Sequence, residues 1–277
     1  MMKFRRPLQL TALLIAVLTV VAGCGAPQSP ESSPKPTAST PSGPTGTIRG
    51  TVKLMGKAPA PATEPIKADQ AICGNSVSLP RISLGKDNGI KDTFVFLEGV
   101  SGVESSQAPP PASVLMDQKN CQYAPHAMIV PMGTELEITN SDTILHNVNG
   151  KIIATEGLLP KFNIAQPIKG QKNKTPALDK AGIVTLSCEA GHPWMSAFVL
   201  VTENPYAAIT NDDGEFVITS VPIGKYRVKM WHEGVTLKSN NKALQRYEYE
   251  DPYETTKDVE VTANGEAVVD FDLALRK

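Results

Sequence analysis

Short runs in which apolar and polar residues alternate recur along the chain from Thr47 to its end, and no run carries the 3.6-residue period of an amphipathic helix. Ile48, Val52 and Leu54 share one face of the first run. Thr93 to Leu97 (TFVFL) suits a buried strand. Ala127 to Val130 and Glu135 to Thr139 read as strands joined by Pro131-Met132-Gly133. In Ile183 to Cys188, the residues Val184, Leu186 and Cys188 point one way, and Ser196 to Thr202 alternates likewise. Many short strands separated by turn residues specify an all-β sandwich or barrel. The 23 prolines and 21 glycines supply the turns, and Pro109-Pro110-Pro111 marks an irregular loop.

After Asn204-Pro205 the texture changes. Glu215 to Thr219, Tyr226 to Trp231, Asp258 to Thr262 and Val268 to Leu275 alternate, with hairpin-turn signals at Asn211-Asp212-Asp213-Gly214 and Asn264-Gly265. These divisions predict one β domain over 47–203 and a smaller sandwich over 204–277, near the lower size for independent folding. The stretch Lys238 to Glu254 is expected to be a long loop.

The N-terminus gives an address. Lys3, Arg5 and Arg6 precede an uncharged apolar run, Leu8 to Val21, which is too short to span a membrane comfortably and ends in Val21-Ala22-Gly23-Cys24. The cysteine after small residues resembles the lipobox of bacterial lipoproteins. That resemblance implies a signal peptide over 1–23, a lipid on Cys24 and a periplasmic protein held on a membrane; Gly25 favours the outer one. Residues 24–46 form a tether: Gly25 to Gly46 holds six prolines, many Ser and Thr, and no core-forming residue. Extended at ~3 Å per residue, it spans on the order of 60–70 Å. A net charge of −1 gives no electrostatic reason to expect nucleic acid.

Export leaves Cys73, Cys121 and Cys188 in an oxidising compartment. A Cys73–Cys121 disulfide is the economical reading, since it leaves Cys188 free; the competing Cys121–Cys188 bond consumes it, and sequence alone does not prove the pairing.

Four side chains carry the chemistry. His146 follows a strand in NSDTILHNVNG, and Cys188, His192 and Met195 follow another in SCEAGHPWM. Two imidazoles, a thiolate and a weak thioether are the donors of a blue copper centre, serving both Cu(I) and Cu(II). Zinc accepts the first three donors but not the thioether readily.

Over Tyr123 to Met195 the chain resembles the cupredoxins. The aromatic-x-Pro strand, Gly turn, Asn140-Ser141-Asp142, His146 and the HPWM loop match that family, the last like the HPFM of amicyanin. The resemblance implies a Greek-key sandwich and a copper site of His146, Cys188, His192 and Met195, with His192 as the exposed edge for electrons. Three residues, Glu189, Ala190 and Gly191, separate Cys188 from His192, where amicyanin-like loops have two. Thr210-Asn-Asp-Asp-Gly-Glu-Phe and Val221-Pro-Ile-Gly-Lys-Tyr-Arg-Val resemble the transthyretin or carboxypeptidase-regulatory β-sandwich, a non-catalytic appendage.

The expected function is electron transfer with periplasmic redox partner proteins; the alternatives are a non-redox envelope binding or adhesion lipoprotein, or a copper carrier. No G-x-S-x-G, H-E-x-x-H or phosphate loop is present, so an enzyme is not expected. His126 and His232 read as structural.

Overall fold

The computed structural model describes residues 43–60, 62–79, 81–100, 113–241 and 246–276. The expected signal peptide, the Cys24 lipid site, the tether up to residue 42 and the Pro109–Pro111 loop lie outside the described residues. The fold is all-β, and its strands form four principal sheets.

Sheet I orders β11 (Lys172–Lys174), β8 (Glu135–Asn140), β5 (Ser113–Lys119) and β6 (Gln122–Ala124). Sheet II orders β10 (Gly157–Gln166), β9 (His146–Ala154), β12 (Gly182–Ser187), β13 (Ser196–Thr202) and β7 (Ala127–Pro131). Sheet III orders β14 (Ala207–Ile209), β4 (Phe94–Glu98), β16 (Gly224–His232) and β19 (Tyr253–Val261). Sheet IV is built on β1 (Thr45–Met55), flanked by β15 (Glu215–Pro222) on one side and by β20 (Glu266–Val268) and β21 (Phe271–Ala274) on the other.

Three apolar layers bind these sheets into a stack. Met116, Leu136 and Ile138 of sheet I pack with Met128, Val148, Val184, Leu186 and Val199 of sheet II. Phe198 and Leu200, on the other face of β13, meet Phe94, Phe96 and Trp231 of sheet III. Val95, Leu97, Val228 and Met230 then pack against Ile48, Val52, Phe216 and Phe271 of sheet IV. The period of two in a strand sends successive side chains to opposite layers, so the inner strands are apolar on both faces. Each fully buried large side chain stabilises by about 1.5–3 kcal/mol.

The strand pairing departs from the expected boundary at 203. Strands β1 and β4, assigned from sequence to the first domain, hydrogen-bond instead with strands from beyond residue 204: β1 with β15, β20 and β21, and β4 with β14 and β16. The physical reason is the shared apolar layer of Ile48, Val52, Leu54, Val95 and Leu97 with Phe216, Ile218 and Phe271. The small C-terminal sandwich is completed by the N-terminal strands, and residues 113–202 form the other sandwich between them.

Two hairpins stand outside the stack. Within the expected loop 238–254, β17 (Leu237–Asn241) pairs with β18 (Arg246–Tyr249), and Ser239 donates to Glu248 across it. Nearer the site, β2 (Ala62–Pro65) pairs with β3 (Ser76–Leu79) and presents a loop holding the one-turn helix α1 (Gln70–Cys73).

Candidate metal centre

His146 opens β9 after a turn organised by Asn140. The Asn140 amide donates to the carbonyls of Ile144 and Gln166, at 2.9 and 2.8 Å, and its oxygen accepts from the Asp142 backbone N–H at 2.9 Å. The second contribution is the loop joining β12 to β13. Cys188 lies just past β12 and Met195 just before β13, whose antiparallel pairing sets Ser187 opposite Ser196 and so closes the loop into a cup. The Met195 N–H donates to the His192 carbonyl at 3.0 Å. The three-residue spacer turns at Gly191, with φ of 90°, where a side chain would be strained. Asn147 links the two contributions, accepting from the Glu189 N–H through its side chain and from the Tyr123 hydroxyl through its carbonyl.

These strands bring three donors together. His146 Nδ1 lies 3.1 Å from His192 Nδ1, which lies 3.7 Å from Cys188 Sγ, and all three residues are buried. Nitrogen donors at ~2.0 Å and sulfur at ~2.3 Å from one metal stand about 3.3–3.8 Å apart in tetrahedral or trigonal arrangement. The 3.7 Å spacing falls in that range and the 3.1 Å spacing lies just below it, with all three donors within 4.8 Å of one another, so small side-chain shifts suit these residues to a metal. Met195, 2% exposed, is buried in the same apolar cluster as Cys188.

The outer ring nitrogens face carboxylates. His146 Nε2 donates to Asp142 Oδ2 at 2.9 Å, and His192 Nε2 to Asp69 Oδ2 at 2.9 Å. A ring whose Nε2 carries the proton leaves Nδ1 free as a donor to metal, so each carboxylate fixes a tautomer and an orientation. Burial lowers the His146 pKa despite the opposing hydrogen bond that the ring donates to Asp142, and this lowering favours the neutral, ligating ring. Burial raises the Cys188 thiol, while hydrogen bonds from the backbone at Asn147, Ala190 and His192 pull it the other way. A cation in the cup would complete that second effect and release the thiol proton.

The sequence expectation of an exposed His192 edge does not hold: the residue is 0% exposed. The loop between β2 and β3 covers it. Asp69, in the left-handed conformation at φ 53°, reaches its ring, and the Asp69 carbonyl accepts from the Cys73 N–H at 2.9 Å. The loop is fastened to the sandwich by a Cys73–Cys121 disulfide, and Cys188 is the free cysteine among the described residues. Trp194 is half-buried, stacks edge-on against His192 with ring centroids 5.4 Å apart, and donates to the Cys121 carbonyl at 3.1 Å.

His126 and His232 stand elsewhere. His126 bonds Glu233 and the Ser196 carbonyl, and His232 bonds the Glu233 carbonyl. The roles of Asp69 and Asp142 went unread in the sequence. Asp142 had a signal, four residues before His146; Asp69, 123 residues from its partner, had none.

No protein-family model and no curated protein matches the chain. Part of it resembles solved copper proteins. An oxidized amicyanin variant is 22% identical over 33% of this chain and 83% of its own, at a TM-score of 0.28. A purple cupredoxin from Nitrosopumilus maritimus is 23% identical over 33% of this chain and 100% of its own, at 0.27. The copper-containing nitrite reductase of Thermus scotoductus SA-01 is 22% identical over 39% of this chain and 25% of its own, at 0.29. Likenesses this slight leave the site to be judged by its own geometry.

Proposed function

We propose that this chain is a membrane-tethered periplasmic copper protein that carries single electrons between partner proteins, as a carrier rather than a catalyst. The observation that carries the reading is the buried triad of His146, Cys188 and His192, with donor atoms all within 4.8 Å of one another. Met195 completes the set as the weak fourth donor. Copper held there supplies one-electron exchange with little ligand movement. The protein does the rest. Asp142 and Asp69 hold the two rings in register, and the surrounding apolar layer of Val148, Leu186 and Ala197 keeps water away. Lipidation at Cys24 would tie the carrier to the membrane through the tether that leads from it to β1, which begins at Thr45 rather than after the expected tether end at 46.

With His192 covered, the electron's route to the surface runs through Trp194, whose ring meets His192 and is partly open to solvent. A small docking face around it suits brief encounters.

The test is the optical and paramagnetic-resonance spectrum of the full chain loaded with Cu(II). One copper per chain and an intense visible thiolate band are expected, both lost in Cys188→Ala. A colourless protein with no stoichiometric copper would overturn the proposal.

A further inference from the structure

Three cysteine sulfurs, not one, lie close to the two histidines. Beside Cys188, the sulfurs of Cys73 and Cys121 lie within 4.8 Å of a ring nitrogen of His192. Cys121 is within the same reach of His146 and Asp142. In the oxidised chain the two are bonded to each other and have no thiolate to offer a metal.

We propose that reduction of the Cys73–Cys121 disulfide opens a second metal site, in which the Cys73 and Cys121 thiolates and His192 hold one Cu(I) ion. Two thiolates and an imidazole are donors suited to that soft cation. Backbone hydrogen bonds fix each cysteine within its own segment, and the Asp69–His192 bond ties the Cys73 loop to the site alongside the disulfide. The Cys73 N–H donates to the Asp69 carbonyl and the Cys121 N–H to Asp142 Oδ2, each at 2.9 Å, and Trp194 Nε1 donates to the Cys121 carbonyl at 3.1 Å. The two Cα atoms are 5.1 Å apart, so thiolates can part to about 3.7 Å, as sulfurs sharing one metal require, by side-chain rotation. Cys73 is half-buried and Asp69 40% exposed, which gives an ion a way in from solvent. The reductant is a dithiol: its two thiols become a disulfide as the protein's disulfide takes up the two electrons and two protons. Binding of Cu(I) then releases those two protons from Cys73 and Cys121.

The proposal uses neither Cys188 nor the electron-transfer reading. Because His192 serves both donor sets, the second site is read cleanly with Cys188 removed. The full-length chain carrying Cys24→Ser and Cys188→Ala has thiols only at 73 and 121. It is titrated anaerobically with Cu(I) against a chromogenic Cu(I) chelator, once oxidised and once after dithiol treatment and removal of the dithiol. The oxidised chain should leave all copper with the chelator, and the reduced chain should withhold one equivalent. Adding Cys73→Ala, or separately His192→Ala, should weaken that retention by about tenfold or more. A reduced chain that withholds no copper overturns the proposal. So does retention indifferent to His192→Ala, which would mark a loose dithiol rather than a built site. Failure of the unsubstituted oxidised chain to bind Cu(II) would defeat the electron-transfer reading and leave this result standing.

Discussion

At His146 the two ring nitrogens have separate tasks: Nδ1 faces the donor cluster and Nε2 faces Asp142. Asp142 in turn accepts the backbone N–H groups of Asn120 and Cys121, each at 2.9 Å. Its own burial pushes the carboxyl pKa up, and the hydrogen bonds from Cys121, His146 and Asn120 outweigh that and hold it low, so it stays ionised. Asp142→Ala would strand two backbone donors, at about 1–3 kcal/mol each, and confuse stability with binding. Asp142→Asn keeps the shape: with its amide oxygen in the Oδ2 position it still accepts from Cys121 and His146, while it loses the charge and the bond from the N–H of exposed Asn120. Copper affinity should fall about 10–100-fold in that variant while the melting transition stays cooperative. Chelator competition and calorimetry check the two halves. An unchanged affinity would show that the carboxylate only fills space.

At the scale of elements, the alternation of Ile48, Val52 and Leu54 declared a strand, and so did the apolar run at 93–97, but neither named a partner. Period-two patterning says which face is buried and not against what, so a boundary placed where the texture changed cut two strands from their sheets. The site was more legible. The types of the three clustered donors, His146, Cys188 and His192, were readable because two imidazoles and a thiolate form a metal-ligating set. The cover over His192 was not, because the Asp69 contact depends on how a distant hairpin is fastened. The pairing has a consequence for truncation. A fragment ending at 203 would expose the faces of β1 and β4 that pack on Phe216, Val228 and Phe271. It should lose its cooperative melt or aggregate, as exposed apolar strand edges do. A single sharp transition equal to that of the full chain would contradict the pairing.

Across the whole molecule, the joint between sheets II and III carries both an apolar layer and a charged knot. Trp231 sits between Phe94 and Phe198, with centroids 5.6 and 5.2 Å away. Trp231→Ala should cost about 3–5 kcal/mol and, if the joint couples the two sandwiches, split the calorimetric transition in two. Beside it, Glu233 bonds both His126, at 2.5 Å, and Arg81, at 2.7 Å, and Arg81 also reaches Ser196 at 2.7 Å. Burial alone would raise the Glu233 pKa, but Arg81 and His126 hold it below the usual carboxylate value. Burial would lower His126, and the charge and hydrogen bond of Glu233 lift it above the ordinary histidine value. The signs then set a window. The depressed Glu233 stabilises the fold above the ordinary carboxylate pKa and loses that contribution as pH falls through its folded value. The raised His126 stabilises it below the ordinary histidine pKa and loses that contribution as pH rises through its own. Glu233→Gln removes one partner of a buried pair and should cost about 3 kcal/mol within that window. Urea unfolding across a pH series checks it. The gap between the two proteins should be widest in mildly acidic solution and narrow on the alkaline side as His126 loses its proton, leaving only the Arg81 bond. A gap that does not change with pH would show that His126 contributes its shape and not its charge.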